Sequence, residues 1–399
     1  MPLYLVVFVA FCGYSLMITL FVPMLMGDNG FLPPGTGLAR RTMAIGLLLA
    51  VYPLGQFIGS PIIGALSDRF GRRPVLAVSL LLTLGAYVIV ALGVELRSEI
   101  LLACGCLLSG LAESNVTIAQ SAVADVTRPE DRPRLFAWIY SACSIAFIAA
   151  PVGGGQLAAW LGWSTPFWLM IPLLGATLLW VWRSFRETHP PQTGRAMDLF
   201  GAATNLATVF TDRPIRRLYL INVLIYIGLF GYFRMILVYM VDVWHTTTGQ
   251  TTAIYAALAV VSATASFALM APLSRYFGLS RLTVGATVIA GLAMISITLP
   301  AELWSLGITA SLTTLHGTLV LSACPAILAN AVSAERQGRV MGNNQALQVG
   351  AESFSSVLGG LLAAIATALP LTVFGVLLVL VGPLLMLQSR SAAAEARSA

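Results

Sequence analysis

Apolar residues in this chain do not alternate with a strand's period of two; they run on for about twenty positions and stop at short clusters of Arg, Pro, Gly and Asp. A helix needs about 20 apolar residues to cross the ~30 Å hydrocarbon core of a bilayer. Runs of that kind fall at 3–26, 44–66, 75–94, 100–124, 136–160, 165–182, 218–241, 252–274, 282–300, 303–329, 340–366 and 371–388. The pattern predicts an all-α membrane protein with twelve transmembrane helices. The one long hydrophilic stretch, 183–217, comes after the sixth run. The expected organisation is therefore a six-helix bundle over 1–182, a cytoplasmic central loop over 183–217, a second bundle over 218–388 and a tail over 389–399.

The two halves resemble each other. GALSDRFG (64–71) between the second and third runs matches APLSRYFG (271–278) between the eighth and ninth at Leu, Ser, Phe and Gly, 207 positions apart. DRPRLFAWIYSACSIAFIAAPVGGG (131–155) leads into the fifth run as ERQGRVMGNNQALQVGAESFSSVLGG (335–360) leads into the eleventh, 205 positions apart. Two anchors with nearly the same offset indicate duplication of a six-helix unit, with a binding site expected at the midplane between two pseudo-symmetric halves.

Composition agrees with the pattern: 58% of the 399 residues are hydrophobic and 10% charged, against about 25% charged in soluble domains. The net charge of +6 raises the question of nucleic acid, which the placement of the cations answers. All 22 basic residues are Arg, and eighteen of them lie in even-numbered loops or the tail; the odd loops hold only Arg40, Arg41 and Arg97, and Arg234 lies inside a run. The positive-inside rule makes both termini and the even loops cytoplasmic. The basic excess orients the chain in a membrane, and no nucleic-acid partner is expected. The first run has no basic segment before it and is too long for a signal peptide, so it reads as a retained helix. The five cysteines, Cys12, Cys104, Cys106, Cys143 and Cys324, all fall inside runs, without a disulfide framework or metal-ligand spacing; no metal site is expected.

The charge gathered in GALSDRFGRRPVL (64–76) resembles the loop 2–3 signature of the major facilitator superfamily, matched at Gly64, Leu66, Asp68, Arg69, Gly71, Arg72 and Arg73. Glycine at 64 is expected to let helices approach and glycine at 71 to permit a tight reversal, while Asp68 sits one helical turn from Arg72. The resemblance implies a conformational latch of Gly64, Asp68, Arg69, Gly71, Arg72, Arg73 and Asp125 holding one half to the other, with Asp68 and Arg72 reaching Asp125 at the cytoplasmic end of span 4; the alternative is that the arginines only anchor topology. AFIAAPVGGG (146–155) is similar to the Gly-x-x-x-Gly-Pro-x-x-Gly-Gly pattern of proton-driven exporters at Pro151, Gly154 and Gly155, with Ala146 and Ala150 in place of Gly. The Arg usual in span 4 of the exporters is replaced here by Cys106.

Ionisable groups inside a bilayer cost at least ~2.5–3.5 kcal/mol and normally face a cavity or a partner. Glu113, Arg234, His316 and Glu352 lie within runs, and the resemblance places the first three on cavity-lining spans. Glu113 is the first candidate for proton coupling, with Glu352 and His316 as further candidates. Arg234 is either a ligand for an anionic substrate group or a counter-charge for Glu113 or Glu352. Glu352 alternatively packs against GQFIG (55–59) of span 2, and His316 alternatively is a neutral ring bonded beside Thr313 and Thr314. Candidate substrate contacts are Tyr14, Thr19, Asn115, Tyr226, Tyr232, Arg234, His316, Asn343 and Gln348.

No nucleophile constellation or nucleotide motif appears, so no enzyme and no cofactor is expected. The expectation is a monomeric, proton-driven, alternating-access transporter of a small organic molecule in a bacterial inner membrane, similar to tetracycline-efflux-like drug:proton antiporters. Uptake of a carboxylate-rich solute such as a siderophore is the second reading, and a non-transporting sensor or assembly partner the third.

Overall fold

The computed structural model describes residues 2–27, 31–113, 115–126, 132–188, 209, 213–299 and 302–398. Its regular structure among these residues is helical throughout: α1 Pro2–Met26, α2 Leu38–Phe70, α3 Arg72–Glu95, α4 Glu99–Ala112, α5 Asn115–Val126, α6 Arg132–Leu161 and α7 Thr165–Ser184. There follow α8 Arg213–Val243, α9 Thr248–Thr264, a π-turn Ala265–Leu269, α10 Met270–Phe277, α11 Leu279–Ser296, α12 Leu303–Asn330, α13 Ala334–Ile365 and α14 Leu369–Ser398. Among the described residues, eleven helical stretches are long and apolar enough to cross a membrane, and Glu99–Ala112 is a shorter apolar helix. The twelve runs thus reappear as helices, with three differences.

The fourth run is not continuous. At about 1.5 Å per residue, α4 and α5 are each close to 20 Å long and neither spans the bilayer alone. They meet at Glu113, which leaves the helical region with φ −83° and ψ 62°. The Ser79 hydroxyl of α3 donates to the Ala112 carbonyl at 2.6 Å, so a side chain meets the backbone ladder where it opens. The eighth run passes through the π-turn just before Pro272, whose ring cannot donate to the Ala268 carbonyl and widens the preceding turn. Finally, the expected non-spanning tail is helical, since α14 continues to Ser398.

Contacts sort the chain into two compact units, Met1–Ala202 with Thr246–Ala256, and Ala203–His245 with Ala257–Ala399. In the first, α1 packs on α6 and α7, α4 on α2 and α3, and α3 on α7. In the second, α8 packs on α13 and α14, α12 on α11 and the π-turn, and α11 on α14. The order of pairing is the same in both, as duplication requires. The two sequence anchors agree in detail. Gly71 and Gly278 both turn the chain at positive φ, 96° and 77°, where a Cβ is strained. A Cβ on Gly154 would lie 2.0 Å from Leu16 Cδ2 of α1, and one on Gly359 would lie 2.7 Å from Met235 Cγ of α8. Gly64, expected to admit a neighbouring helix, has nothing within 4 Å of a built Cβ; its place in the motif is not explained by packing.

At the end of α1, Arg41 is buried and its guanidinium donates to the carbonyls of Met26 at 2.6 Å, Gly27 at 2.8 Å and Leu25 at 3.2 Å. A cation at a helix C-terminus satisfies carbonyls that have no partner in the helix. Arg41, which the sequence offers only as a basic residue of an odd loop, is thus a structural cap.

Replacing Gly71 or Gly278 by Ala is expected to lower stability by about 1–2 kcal/mol, read as a lower thermal midpoint of the purified protein in detergent. Gly64→Ala is expected to leave the midpoint where it is. Equal midpoints for all three would remove the backbone argument.

Candidate functional site

Glu113 lies inside the first unit, 3% exposed. Its position follows from the closeness of α2 and α4. A Cβ on Gly55 would lie 2.5 Å from the Leu107 carbonyl oxygen, one on Gly59 2.2 Å from that of Leu111, and one on Gly110 2.1 Å from that of Tyr52. Backbones in such contact require glycine on both sides. Tyr52 shares the face of Gly55 and Gly59, and its hydroxyl donates to Glu113 Oε2. The Tyr52 ring stacks on Tyr14 at 4.2 Å between centroids, and Tyr14 meets Phe147 edge-on at 6.3 Å. The carboxyl group is therefore held by one hydroxyl behind an aromatic wall from α1, α2 and α6. Its second oxygen, Oε1, has no hydrogen-bond partner among the described residues.

The glycines of GQFIG abut α4. In the second unit Arg234 of α8 forms a salt bridge with Glu352 of α13, with side chains 3% and 11% exposed. This answers the question of Arg234's counter-charge: the partner is Glu352. The position in the first half that corresponds to Glu352, 205 residues earlier, is Phe147, so the duplicated site holds an ion pair in one copy and an aromatic contact in the other.

The remaining candidates divide. Tyr226 donates to Asn344 Oδ1 at 2.9 Å, and Tyr232 donates to the Ala310 carbonyl at 2.9 Å beside Thr314 at 3.0 Å; these hydroxyls bond α12 and α13. Thr19 is buried and donates to the Ser15 carbonyl of its own helix at 2.8 Å. His316 places Nδ1 2.8 Å from the Leu312 carbonyl on its own helix and does not join Arg234 and Glu352. Thr313 donates back to Thr309 at 2.9 Å. Asn343 is buried and Gln348 half-buried on α13. Asn115 heads α5, but its side chain lies outside the described residues. Cys106, at the position of the exporters' usual Arg, is buried with Sγ 3.9 Å from Met17 Sδ. Among the described residues no cluster suited to a metal ion occurs.

In the motif at 146–155, Ala146, Ala150, Pro151, Gly154 and Gly155 are buried. Gly154 abuts Leu16, and a Cβ on Gly155 would lie 2.5 Å from the hydroxyl of Thr252. The small residues thus serve close packing, in the first unit, against α1 and the first turns of α9.

The charged cluster after α2 is centred on Arg72. Arg72 bonds Asp68 at 2.5 Å, Asp125 at 3.0 Å and the Ser67 hydroxyl at 3.0 Å. These pairs join α2, α3 and α5 within the first unit, and Asp125 is the acid that Arg72 was expected to reach. Arg69 lies over the Phe70 ring at 5.2 Å, and Arg73 donates to the Trp182 carbonyl. Glu187, beyond α7, was not anticipated: its two carboxylate oxygens accept from the backbone N–H groups of Arg72 at 2.8 Å and Arg73 at 3.0 Å. A carboxylate there satisfies donors left open by the first turn of α3 and complements the helix dipole. Tyr52 was also missed, although its spacing of three from Gly55 puts it on the contact face.

Because removing one partner of a buried pair leaves an uncompensated charge, Arg234→Met or Glu352→Gln alone is expected to destabilise by roughly 3–5 kcal/mol. The double variant is expected to recover most of that loss in thermal unfolding. A double variant no more stable than either single one would show that the pair contributes through something other than charge balance.

Comparison with known proteins gives the family. Residues 3–317 match the model described as Major Facilitator Superfamily. The tetracycline resistance protein, class C, of Escherichia coli is 38% identical over 144 residues, 36% of this chain and 35% of that protein. The class B protein of the same organism is 38% identical over 143 residues, with the same shares. The matched segments therefore span about a third of these relatives. The crystal structure of the human organic anion transporter MFSD10 (TETRAN) superposes with a TM-score of 0.71 over 96% of this chain and 98% of that one at 21% identity. A POT family transporter in complex with 5-aminolevulinic acid gives 0.77 over 98% and 95% at 12% identity. With a family match over most of its length and the same fold in solved transporters, this multi-pass membrane protein belongs to the Major Facilitator Superfamily, a family of transporters rather than enzymes.

Proposed function

We propose that the chain exports a small organic molecule in exchange for protons, by alternating access, across a bacterial inner membrane with both termini in the cytoplasm. The observation that carries this reading is Glu113: a buried carboxyl group at the break between α4 and α5, held at Oε2 by Tyr52 and without a described partner at Oε1. Unlike Glu352, it has no cation beside it among the described ion pairs. A lone buried carboxyl group is most readily accommodated when neutral, so its charge changes with the proton it carries. Each charge moved across the membrane gains ~2.3 kcal/mol per 100 mV. No cofactor enters this scheme.

Resemblance to tetracycline resistance proteins supports export and makes tetracycline the first compound to test. The uptake of an anionic solute relied on Arg234, which already has Glu352 as its counter-charge. Aromatic groups around Tyr14, Tyr52 and Phe147 suit an organic solute better than a polyanion.

The decisive assay is tetracycline accumulation in cells producing the protein, with and without an uncoupler. Accumulation is expected to fall when the protein is present, and the effect to vanish with uncoupler or with Glu113→Gln. Tyr52→Phe is expected to reduce export about tenfold or less, the effect of a positioning hydrogen bond worth ~1 kcal/mol. Export by Glu113→Gln at the wild-type rate would end the coupling role. Asp68→Asn, which removes one partner of Arg72 at the surface, is expected to slow export without loss of folded protein; unchanged turnover would reduce the cluster to a topological anchor.

A further inference from the structure

Five buried side-chain oxygens of the first unit have no hydrogen-bond partner among the described residues; one is Ser15 Oγ on α1, and the other four lie along α3 and at α4 with its C-cap. Thr83 Oγ1, Tyr87 Oη, Ser109 Oγ and Glu113 Oε1 are buried, and none has a hydrogen-bond partner among the described residues. Three of the residues are entirely without exposure and Glu113 is 3% exposed.

They come together by the register of α3 against α4. Near one end of the crossing, a Cβ on Gly105 would lie 2.9 Å from the Val90 nitrogen and 3.1 Å from the Ala86 carbonyl oxygen. Near the other, Ser79 bonds the Ala112 carbonyl at 2.6 Å. Between these two fixed points, Thr83 on α3 and Ser109 on α4 face each other. Tyr87 lies one turn from Thr83, and Glu113 one turn from Ser109, its N–H donating to the Ser109 carbonyl at 2.8 Å. The Tyr87 hydroxyl lies beside the Ser109 side chain, without the alignment of a hydrogen bond, and within electrostatic reach of Glu113. The Tyr87 hydroxyl is in turn located by Gly13 of α1, where a Cβ would fall 1.9 Å from it.

Three hydroxyls and one carboxyl oxygen make a complementary set. Each hydroxyl can donate or accept, while an ionised carboxylate only accepts. Buried polar atoms in proteins are nearly always bonded, and a buried water typically makes about three hydrogen bonds to groups that otherwise lack them. We infer that these four oxygens hold internal water between α3 and α4, directly bonded to Glu113 on the side opposite Tyr52. When Glu113 is ionised the water donates to Oε1. When a proton arrives on Oε1, the new O–H donates to the water, which turns to donate to a hydroxyl instead. The number of hydrogens on the water is unchanged; only the driving proton is gained or lost. The water site stands on the four oxygens themselves, and its part in the loading of Glu113 rests on the coupling reading above.

The test is difference infrared spectroscopy of the full chain in lipid vesicles, between high and low pH, in water and in oxygen-18 water. An O–H stretch that shifts with the isotope is expected in the wild type, and is expected to be lost in Thr83→Val with Ser109→Ala and in Tyr87→Phe. Thr83→Val keeps the shape of the side chain, and monodisperse elution of each variant confirms the fold. The carboxyl band that disappears in Glu113→Gln is expected to move to higher frequency in the same variants, as a bond to it is lost. Absence of an isotope-sensitive band in the wild type, or a band that all these variants leave unaltered, overturns the inference. If the band depends on Thr83 and Ser109 while Glu113→Gln still exports in a proton-driven way, the water site stands and the coupling reading falls.

Discussion

The contact of α2 with α4 at the level of their backbones is the constraint from which the first unit's site follows. Lipid offers no hydrophobic drive for one apolar helix to join another, so association depends on close packing and on polar bonds. Gly55, Gly59 and Gly110 allow that packing. With α2 so near, the Tyr52 hydroxyl meets Glu113 without any charged neighbour being needed. The same approach accounts for a break in a helix that contains no proline. α4 can stop at Ala112 because the Ser79 hydroxyl of α3 donates to its open carbonyl, so the cost of leaving a backbone group unbonded in lipid is met from a neighbouring helix.

Two solutions to a buried acid coexist in one chain. Glu352 is compensated by Arg234 from the adjoining helix, an arrangement that keeps the charge in place. Glu113 is bonded by the Tyr52 hydroxyl behind aromatic rings. The first balances the acid with a cation, and the second holds it without one among the described ion pairs. The cluster at Arg72 adds a third regime, partly exposed, where Asp68, Asp125 and the Glu187 carboxylate all converge on the first turn of α3.

Much of this was legible in the sequence because the bilayer imposes a coarse rule on composition: apolar runs of the right length become helices. The rule fixed the spans and, through the offsets of Gly71 with Gly278 and Gly154 with Gly359, the equivalence of the halves. Glu113, Arg234 and Glu352 were visible as charges in apolar surroundings, since such residues need a physical reason to be there. What they touch was not visible, because the rotation of a helix about its axis is set by neighbours. That is why Arg234 had three readings and Tyr52 had none. The break at Glu113 depends on a hydroxyl from α3, 34 positions earlier in the chain at Ser79, and leaves no local signature. Glu187 follows the last hydrophobic turn of α7, in a polar stretch without period, where no face exists from which a partner might be inferred.

The exchange of Phe147 for Glu352 at equivalent positions has an evolutionary consequence. An aromatic contact is converted to a buried ion pair, or back, only by two substitutions on different helices, and the intermediate carries an unpaired charge at a cost of roughly 3–5 kcal/mol, a large share of the stability of an ordinary domain. Descent between the two forms is therefore slow in both directions. With Arg234 and Glu352 both present, single substitutions at either position carry that cost, which holds the duplicated halves to unequal chemistry.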